Sequence, residues 1–304
     1  METILKVNGI CKAYKNNQVL NSVSMNIYKG DIYGFVGKNG AGKTTLIRII
    51  SGLTDADQGE FELFGLSNKN KHIDAARKKI CTMVEAPAIY PDLNATENLK
   101  MHCLITRQSF DCIPELLSFV NLSKTGKKKA KDFSLGMRQR LGIAMALVSK
   151  PEFMLLDEPI NGLDPEGIKQ VRDLLLKLHD ERGVTILISS HILTELSLFA
   201  TRYGFIDGGR IIKEATPEEI AKATSEGCYI ESDDLEKGRS ILMQLGYHVI
   251  PHESGLLINK DIDLMQVCKS FEKQKIKLTK HVRNNLDLEG YFMSLIGKAA
   301  EENL

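Results

Sequence analysis

Residues 37–44 read Gly-Lys-Asn-Gly-Ala-Gly-Lys-Thr, and this stretch decides the fold of the chain. It matches the pattern G-x-x-x-x-G-K-[ST], in which the glycines let backbone N–H groups turn inward around phosphate oxygens. A mostly apolar run at 31–36 precedes the loop and predicts a buried strand, and a helical pattern starts at Lys43. Strand, loop and helix in this order predict a nucleotide phosphate site. A chance match in a glycine-rich turn is the alternative interpretation.

The chemistry of this loop assigns a task to its last two residues. Lys43 is expected to reach the β- and γ-phosphates, and Thr44 to supply a hydroxyl to Mg²⁺. The N-terminus of the following helix adds a partial positive charge. A nucleotide with Mg²⁺ is therefore the predicted ligand, although a phosphate loop alone could belong to a kinase, a GTPase or a helicase; ATP is predicted once the segments below are considered.

Around the loop, short strands alternate with helices, which is typical of an α/β fold. Period-two patterns predict strands at 4–7 and 23–27, and apolar runs predict buried strands at 80–84, 153–156 and 184–188. Residues 86–150 are predicted to be mostly helical, and 165–179 to form a further helix.

After about residue 215 the pattern becomes that of a small second domain. Strands are predicted at 228–230, 247–250, 256–259 and 275–279, with helices starting at Asp233 or Asp234 and at 261–273 and 286–296. The order βαββαβ is that of a ferredoxin-like unit. The sequence thus predicts a first domain at 1–215, with a helical subdomain at about 86–150, and a second at 216–304.

Composition limits the function without defining it. The chain is 43% hydrophobic with a net charge of +1, so nothing indicates a nucleic-acid partner. Its six cysteines include no C-x-x-C pair, which favours a reducing cytosol with the thiols used as small apolar core residues. Residues 1–10 are too polar to be expected as a signal peptide, and no apolar run approaches the ~20 residues needed to span a bilayer. Any membrane function is therefore expected to depend on a partner.

Two adjacent acids, Asp157 and Glu158, end the apolar run at 153–156. Asp157 suits the Mg²⁺ shell, and Glu158 suits a general base that orients the attacking water, a role worth roughly 10²–10⁴ in rate. Taken alone, a solvated turn is an equally good interpretation of the pair.

Further segments make the chain resemble the ABC family of ATPases. Residues 133–141 (Phe-Ser-Leu-Gly-Met-Arg-Gln-Arg-Leu) resemble its signature, usually L-S-G-G-Q, and stand about twenty residues before the acidic pair. Residues 161–164 resemble the D-loop, and His191 resembles the switch histidine. Tyr14 stands where the family stacks an aromatic ring on adenine. The resemblance covers about residues 1–215 and implies a P-loop cassette with ATPase activity.

Several of these residues also have a purely structural interpretation. Tyr14 suits a half-buried strand aromatic, and His191 alone suits a surface histidine. Ser134 suits a helix N-cap, a role compatible with the functional one. The lysine-rich run 127–131 suits a solvated face better than a phosphate-steering or membrane-proximal patch.

The resemblance implies a composite site, in which two copies of the chain sandwich two ATP molecules head to tail. The implied catalytic residues are Glu158, His191 and Glu85, and the implied metal ligands are Thr44, Asp157 and Glu85. The implied nucleotide contacts are Tyr14, Gly37, Lys38, Asn39, Gly40, Ala41, Gly42, Lys43, Thr44, Thr45, Ser134, Gly136 and Asp164. A separate transmembrane permease is the implied second partner, which places the chain peripherally on the cytoplasmic side of the plasma membrane.

One departure from the family pattern narrows the function. Glu85 stands where the family has the Q-loop glutamine, and its added charge is expected to change metal affinity and coupling. With residues 86–90 and 133–137, it resembles the branch that exports bacitracin and confers lantibiotic immunity. Leu135 replaces the first signature glycine, so contacts there fall to Ser134 and Gly136. The alternatives are an exporter or importer of another substrate and a soluble, non-transport ABC ATPase. Residues 286–292 resemble the L-E-x-x-F ending of single-cassette exporters.

Overall fold

The computed structural model describes residues 2–84, 87–224, 228–252, 254–258, 262–283 and 288–301. The chain divides into two compact units, residues 1–192 with 199–214 and residues 193–198 with 215–304. Within the described part of the chain, every helix is too short or too polar to cross a bilayer.

The strands of the first unit form two sheets. They are β1 (Thr3–Tyr14), β2 (Asn17–Tyr28), β3 (Ile32–Val36), β4 (Gln58–Leu63), β5 (Leu66–Ser67), β6 (Ile80–Met83), β7 (Phe153–Asp157), β8 (Thr185–Ser190), β9 (Arg202–Asp207) and β10 (Arg210–Ala215). One sheet is antiparallel in the order β2-β1-β4-β5. The other has the order β10-β9-β3-β8-β7-β6 and is parallel from β9 to β6.

The helices of the first unit are α1 (Lys43–Ile50), α2 (Ile73–Arg77), α3 (Ala95–Thr106), α4 (Ile113–Phe119), α5 (Leu135–Leu147) and α6 (Pro165–Arg182). Asn94 and Glu97 form a reciprocal capping box at the start of α3, which satisfies two backbone N–H groups. Short 3₁₀ turns at Phe110–Cys112, Ser123–Thr125 and Ala130–Asp132 connect the helices of the 95–147 region.

The parallel strands bring the predicted site residues to one sheet edge. β8 lies between β3 and β7, with Ser189 beside both Phe35 and Asp157. The carboxyl ends of β3, β7 and β8 therefore lie side by side, which is where open α/β sheets bind ligands. A buried apolar cluster that includes Leu5, Phe35, Ile47, Phe61 and Phe153 joins residues of both sheets and α1 beneath this edge.

The structure confirms most of the predicted elements of the first unit. The strands predicted at 4–7, 23–27, 31–36, 80–84, 153–156 and 184–188 correspond to β1, β2, β3, β6, β7 and β8, and the helix predicted at 165–179 is α6. The described residues of the 86–150 stretch are mostly helical.

Of the six cysteines, Cys103 and Cys228 are buried as predicted, the other four are half-buried, and all are free. Burial raises the pKa of Cys81 and of Cys103 to about 11, so both thiols stay protonated at neutral pH.

The second unit contains α7 (Leu193–Leu196), α8 (Pro217–Thr224), β11 (Cys228–Ser232), α9 (Leu235–Gln244), β12 (Val249–His252), β13 (Gly255–Ile258), α10 (Leu264–Lys273), β14 (Leu278–Arg283) and α11 (Leu288–Glu301). Its sheet is antiparallel with the order β12-β13-β11-β14. A separate apolar cluster, which includes Ile230, Leu242, Leu256, Val267 and Phe271, joins this sheet to α9 and α10.

Two strands predicted in the second unit start at the wrong residue. The strand predicted at 275–279 is wrong over its first three residues, because α10 ends at Lys273 and the chain needs 274–277 to turn back. Lys275 takes a left-handed φ of 59°, and the Ile276 N–H donates to Phe271 O. The strand predicted at 247–250 starts at Val249, since the Tyr247 N–H still donates to Leu242 O at the end of α9. Asp234, one of the two predicted caps, accepts from the Lys237 N–H. Residues 259, 261, 286 and 287 of the predicted elements lie outside the described residues.

Candidate functional site

The phosphate loop connects β3 to α1 in a conformation that only its glycines adopt without strain. Gly40 and Gly42 have φ values of 82° and 107°, in the left-handed region that side chains disfavour. Gly37 is restricted by space, because a Cβ there would lie 2.6 Å from the carbonyl oxygen of Ile206. The loop is thus held close to neighbouring backbone, and the Ala41 N–H donates to Lys38 O at 3.1 Å within it. The start of α1, which follows the loop, favours an anion.

Lys43 is almost fully buried, with 5% of its side chain exposed. Its Nζ donates to the carbonyl oxygens of Gly37 at 2.6 Å and Lys38 at 3.3 Å. It also lies 3.2 Å from Glu158 Oε1, in an ion pair that lacks the alignment of a hydrogen bond. A buried ammonium needs such a counter-charge. Glu158 therefore supplies the negative charge next to the lysine that is expected to bind phosphate.

Asp157 is the last residue of β7 and is 2% exposed. Its Oδ2 accepts a hydrogen bond from Thr44 Oγ1 at 2.7 Å, and its Oδ1 accepts one from Ser189 Oγ at 2.6 Å. The predicted metal ligands Thr44 and Asp157 are thus in direct contact across the loop and the strand end. Both of them offer oxygen, the ligand atom that Mg²⁺ prefers.

Glu158 turns away from the strand with a left-handed φ of 50°, which is uncommon for a residue with a side chain. Its N–H is bonded to Ser189 through both the hydroxyl, at 3.0 Å, and the carbonyl oxygen, at 3.2 Å. Its Oε2 lies 2.8 Å from His191 Nδ1. The carboxylate therefore lies between Lys43 and His191, and the three side chains form one connected group.

The residues around this group line a single open cleft. The cleft contains Asn39, Gly40, Gly42, Lys43, Thr44, Thr45 and Glu158, all named from the sequence, together with Val19. Sequence reasoning missed Val19 and Ser189. Val19 carries no chemical signal, and Ser189 is notable only once the strand register places it beside Asp157.

Ser134, Gly136 and Asp164 lie elsewhere, and none of them lines that cleft. Ser134 is the N-cap of α5, with its Oγ accepting from the Met137 N–H at 3.3 Å. Asp164 caps α6 in the same way, accepting from the Gly167 N–H at 3.1 Å. Gly136 lies where a Cβ would be 3.6 Å from the Cα of Gly167, so α5 and α6 approach closely at this point. The signature segment is thus the capped start of α5, with Leu135 exposed, and it lies next to the capped start of α6.

Tyr14 ends β1 and is 45% exposed, with Lys12 Nζ 5.6 Å from its ring centroid. It does not line the cleft, and stacking on a base stays a prediction. Glu85 lies outside the described residues, two positions beyond the end of β6. In the 127–131 run, Lys131 pairs with Asp92 at 2.9 Å and Lys128 lies over the Phe133 ring, as expected of a solvated face.

A phosphate loop, a strand-end acid pair, a histidine directly after the adjacent strand and a capped signature helix define an ABC-type ATPase cassette. Comparison with known proteins agrees: the family model described as "ABC transporter" matches residues 20–161. The chain is 37% identical to the bacitracin transport ATP-binding protein BcrA of Bacillus licheniformis, over 98% of each chain. It is 41% identical to the lantibiotic transport ATP-binding protein SrtF of Streptococcus pyogenes, over 69% of this chain and 90% of SrtF.

Among solved structures, the chain resembles the dimeric post-hydrolysis state of the cassette MJ0796 bound to ADP and Pi. The identity is 26% and the TM-score 0.63, over 70% of this chain and 98% of that one. This chain belongs to the ABC transporter ATP-binding proteins. It is the ATP-binding, ATP-hydrolysing subunit of a transporter, and cassettes of this kind form dimers and work with a membrane permease.

Proposed function

We propose that this chain hydrolyses ATP with Glu158 as the general base and thereby drives the export of a peptide antibiotic through a separate permease. The observation that carries the catalytic part is the carboxylate of Glu158, held between Lys43 at 3.2 Å and His191 at 2.8 Å. A general base must lie within hydrogen-bond reach of the water it activates, and Glu158 lines the same cleft as Lys43 and Thr44. No other acid lines the cleft within the described residues.

The residues present fit Mg²⁺. Thr44 Oγ1 and Asp157 Oδ2 lie 2.7 Å apart, and both are hard oxygen donors. Two such donors suit Mg²⁺, which usually takes one or two protein oxygens and completes its shell with water and substrate phosphate. When bound, the ion neutralises charge on the phosphate oxygens.

Glu158 has two roles in this proposal, as the partner of Lys43 and as the general base. Its carboxylate balances the charge of Lys43 across 3.2 Å. The γ-phosphate is expected to displace it, because the phosphate carries more negative charge and is also stabilised by N–H groups at the helix start. We infer that the carboxylate is then available to the attacking water and that His191, whose Nδ1 lies beside Glu158, contacts the γ-phosphate through Nε2. ATP entry thus removes the ion pair and frees the base in one step.

The signature residues complete the site from a second copy. Ser134 and Gly136 start α5, and a helix N-terminus stabilises an anion placed before it. Since neither residue lines the cleft of its own chain, we infer that each meets the γ-phosphate held by the other copy, head to tail. Asp164, at the start of α6 beside α5, is inferred to lie at the same interface.

We also infer two domains, with the second of ferredoxin-like topology. Its element order is βαββαβ, and its central strands β13 and β11 are flanked by β12 and β14 in an antiparallel sheet. We infer that the chain lies at the cytoplasmic face of the membrane and is held there by its permease, an inference supported by the relatives that are named as transport ATP-binding proteins.

Peptide-antibiotic export is supported by the relatives named for bacitracin and lantibiotic transport and by Glu85 at the Q-loop position. The test is a drug-susceptibility profile of cells that carry the intact transporter genes, cells that lack this chain, and cells complemented with Glu158→Gln. We expect sensitivity to bacitracin or a lantibiotic to rise in the deletion and to stay high with Glu158→Gln. Unchanged tolerance to every peptide antibiotic would reject the substrate class. Restored tolerance in cells complemented with Glu158→Gln would reject Glu158 as the general base.

A further inference from the structure

The hydroxyl of Ser189 contacts both acids of the candidate site. Ser189 is the penultimate residue of β8 and has no exposed surface. Its Oγ donates to Asp157 Oδ1 at 2.6 Å and accepts from the Glu158 N–H at 3.0 Å. A hydroxyl has one proton to donate and two lone pairs to accept with. The two bonds therefore fix its orientation, and one buried group connects two neighbouring functional residues.

The first consequence concerns Asp157. Because Oδ1 is occupied by the Ser189 hydroxyl, Oδ2 is the oxygen left to face Thr44, and the two lie 2.7 Å apart. Without the hydroxyl, Oδ1 would lose this hydrogen bond although Asp157 is only 2% exposed. Rotation of the carboxylate about its bond to Cβ would then no longer be restrained by Ser189.

The second consequence concerns Glu158. Its left-handed backbone aims the carboxylate at Lys43 and His191, and such a conformation persists only where its surroundings hold it. The Glu158 N–H is shared between the hydroxyl and the carbonyl oxygen of Ser189. Removal of the hydroxyl leaves only the longer of these two bonds, at 3.2 Å.

We propose that Ser189 is a positioning residue for ATP hydrolysis: its hydroxyl fixes which oxygen of Asp157 faces Thr44 and holds the backbone that presents Glu158. The inference rests on the proposed roles of Asp157 and Glu158. Residues that orient a metal ligand from behind typically change metal affinity or activity by about 10–100-fold when altered. A misplaced catalytic group has a similar effect.

The neighbouring Ser190 provides a matched control. It lies on the same strand and is equally buried, but its Oγ accepts from the Ile192 N–H at 2.9 Å. No hydrogen bond joins its hydroxyl to either acid in the described residues. Ser190→Ala therefore removes a hydroxyl of the same kind from the same strand without touching Asp157 or Glu158.

The experiment compares the full chain with Ser189→Ala, Ser189→Thr, Ser189→Cys and Ser190→Ala. We expect Ser189→Ala to lower kcat for ATP hydrolysis about 10–100-fold with little change in KM, since the phosphate loop is intact. A titration with Mn²⁺ and a non-hydrolysable ATP analogue, followed by electron paramagnetic resonance, should show metal affinity lowered by about tenfold.

Ser189→Thr should restore the hydroxyl and most of kcat. Ser189→Cys, whose thiol donates weakly, should have a kcat between those of Ser189→Ala and Ser189→Thr. Ser190→Ala should keep kcat and Mn²⁺ affinity close to those of the unaltered chain.

Melting temperatures of all variants separate positioning from loss of fold. The proposal is overturned if Ser189→Ala keeps normal kcat and Mn²⁺ affinity, or if Ser190→Ala loses as much. It is also overturned if the loss of kcat only follows a lower melting temperature and neither Thr nor Cys restores it. Glu158→Gln, measured in parallel, keeps the two proposals apart. If Glu158→Gln hydrolyses ATP normally, the proposed base is wrong; if it is inactive while Ser189→Ala is unaffected, only the role of Ser189 is rejected.

Discussion

The carboxylate of Glu158 lies between the Lys43 ammonium, at 3.2 Å, and the His191 imidazole, at 2.8 Å. A carboxylate in this position neutralises the buried ammonium, as a phosphate would do with more charge. In the proposed mechanism, exchange of the carboxylate for the phosphate links ATP binding to release of the base. The ion pair also supplies the counter-charge that a lysine only 5% exposed needs.

We therefore expect Glu158→Gln to abolish ATP hydrolysis and to trap an ATP-bound dimer. The amide keeps the shape of the side chain, so it still contacts Lys43 and His191, but it does not accept a proton from water. Phosphate release should fall by at least about 100-fold. Size-exclusion chromatography with light scattering, run with ATP and Mg²⁺, should show the dimer. Glu152→Gln, which alters an exposed ion pair with Lys79, is the control and should keep activity. A Glu158→Gln chain that stays monomeric with ATP would contradict the sandwich arrangement.

Glu85 adds a charge where the family has an amide, and its own position lies outside the described residues. We expect Glu85→Gln to leave ATP binding intact, because the phosphate loop and Asp157 supply the binding contacts. Turnover, or protection of cells against the peptide antibiotic, should change because the negative charge alters metal affinity at the site. Steady-state ATPase rates and drug tolerance measure this. Identical values for both forms would show that the charge has no role.

At the scale of elements, the conformation of the loop between β3 and α1 is restricted by neighbouring backbone that lies very close to it. Gly37→Ala places a Cβ 2.6 Å from Ile206 O, and a backbone atom does not yield as a side-chain end does. The loop must therefore shift, and its N–H groups move away from the phosphates. We expect ATP affinity, measured by calorimetry, to fall by about tenfold or more, equal to roughly 1.4 kcal/mol.

Gly30→Ala is the control for this substitution. Gly30 has a φ of 81° and open space around its missing Cβ, so it tests the cost of the backbone conformation alone, away from the loop. It should lower the melting temperature and leave ATP affinity unchanged. Equal losses of affinity in the two variants would show that general destabilisation, not displacement of the loop, is responsible.

The same loop shows why parts of this fold were predictable. A strand that is apolar throughout, such as 153–156, and a glycine pattern with a fixed chemical task are local signals. The predicted start of β14 was three residues too early. The sequence pattern of α10 does not mark where the helix ends, and the left-handed conformation of Lys275 depends on that end. α7, of four residues, is too short to give a periodic signal at all. Ser189 has an ordinary strand sequence around it, and its role depends on the register between β7 and β8.

At the scale of the whole molecule, the chain enters the second unit twice. Residues 193–198 begin two positions after His191, yet they group with the residues from 215 onward. Within that unit, α11 packs on both α7 and α8, and the α7 residues Leu193 and Leu196 are buried. A boundary drawn at residue 215 from composition therefore separates α7 from the helix that packs on it.

We expect this arrangement to decide what happens when residues 215–304 are removed. The truncated chain keeps every residue that lines the nucleotide cleft, so it should still bind ATP, as measured by calorimetry. It loses α11, however, and exposes Leu193 and Leu196, each worth about 1.5–3 kcal/mol when fully buried. Its melting temperature should fall and its tendency to aggregate should rise. Replacing both leucines with asparagine in the truncated chain should reduce aggregation, because the newly exposed surface is then polar. A truncated chain as stable and as soluble as the whole would show that α7 does not depend on the second unit for its packing.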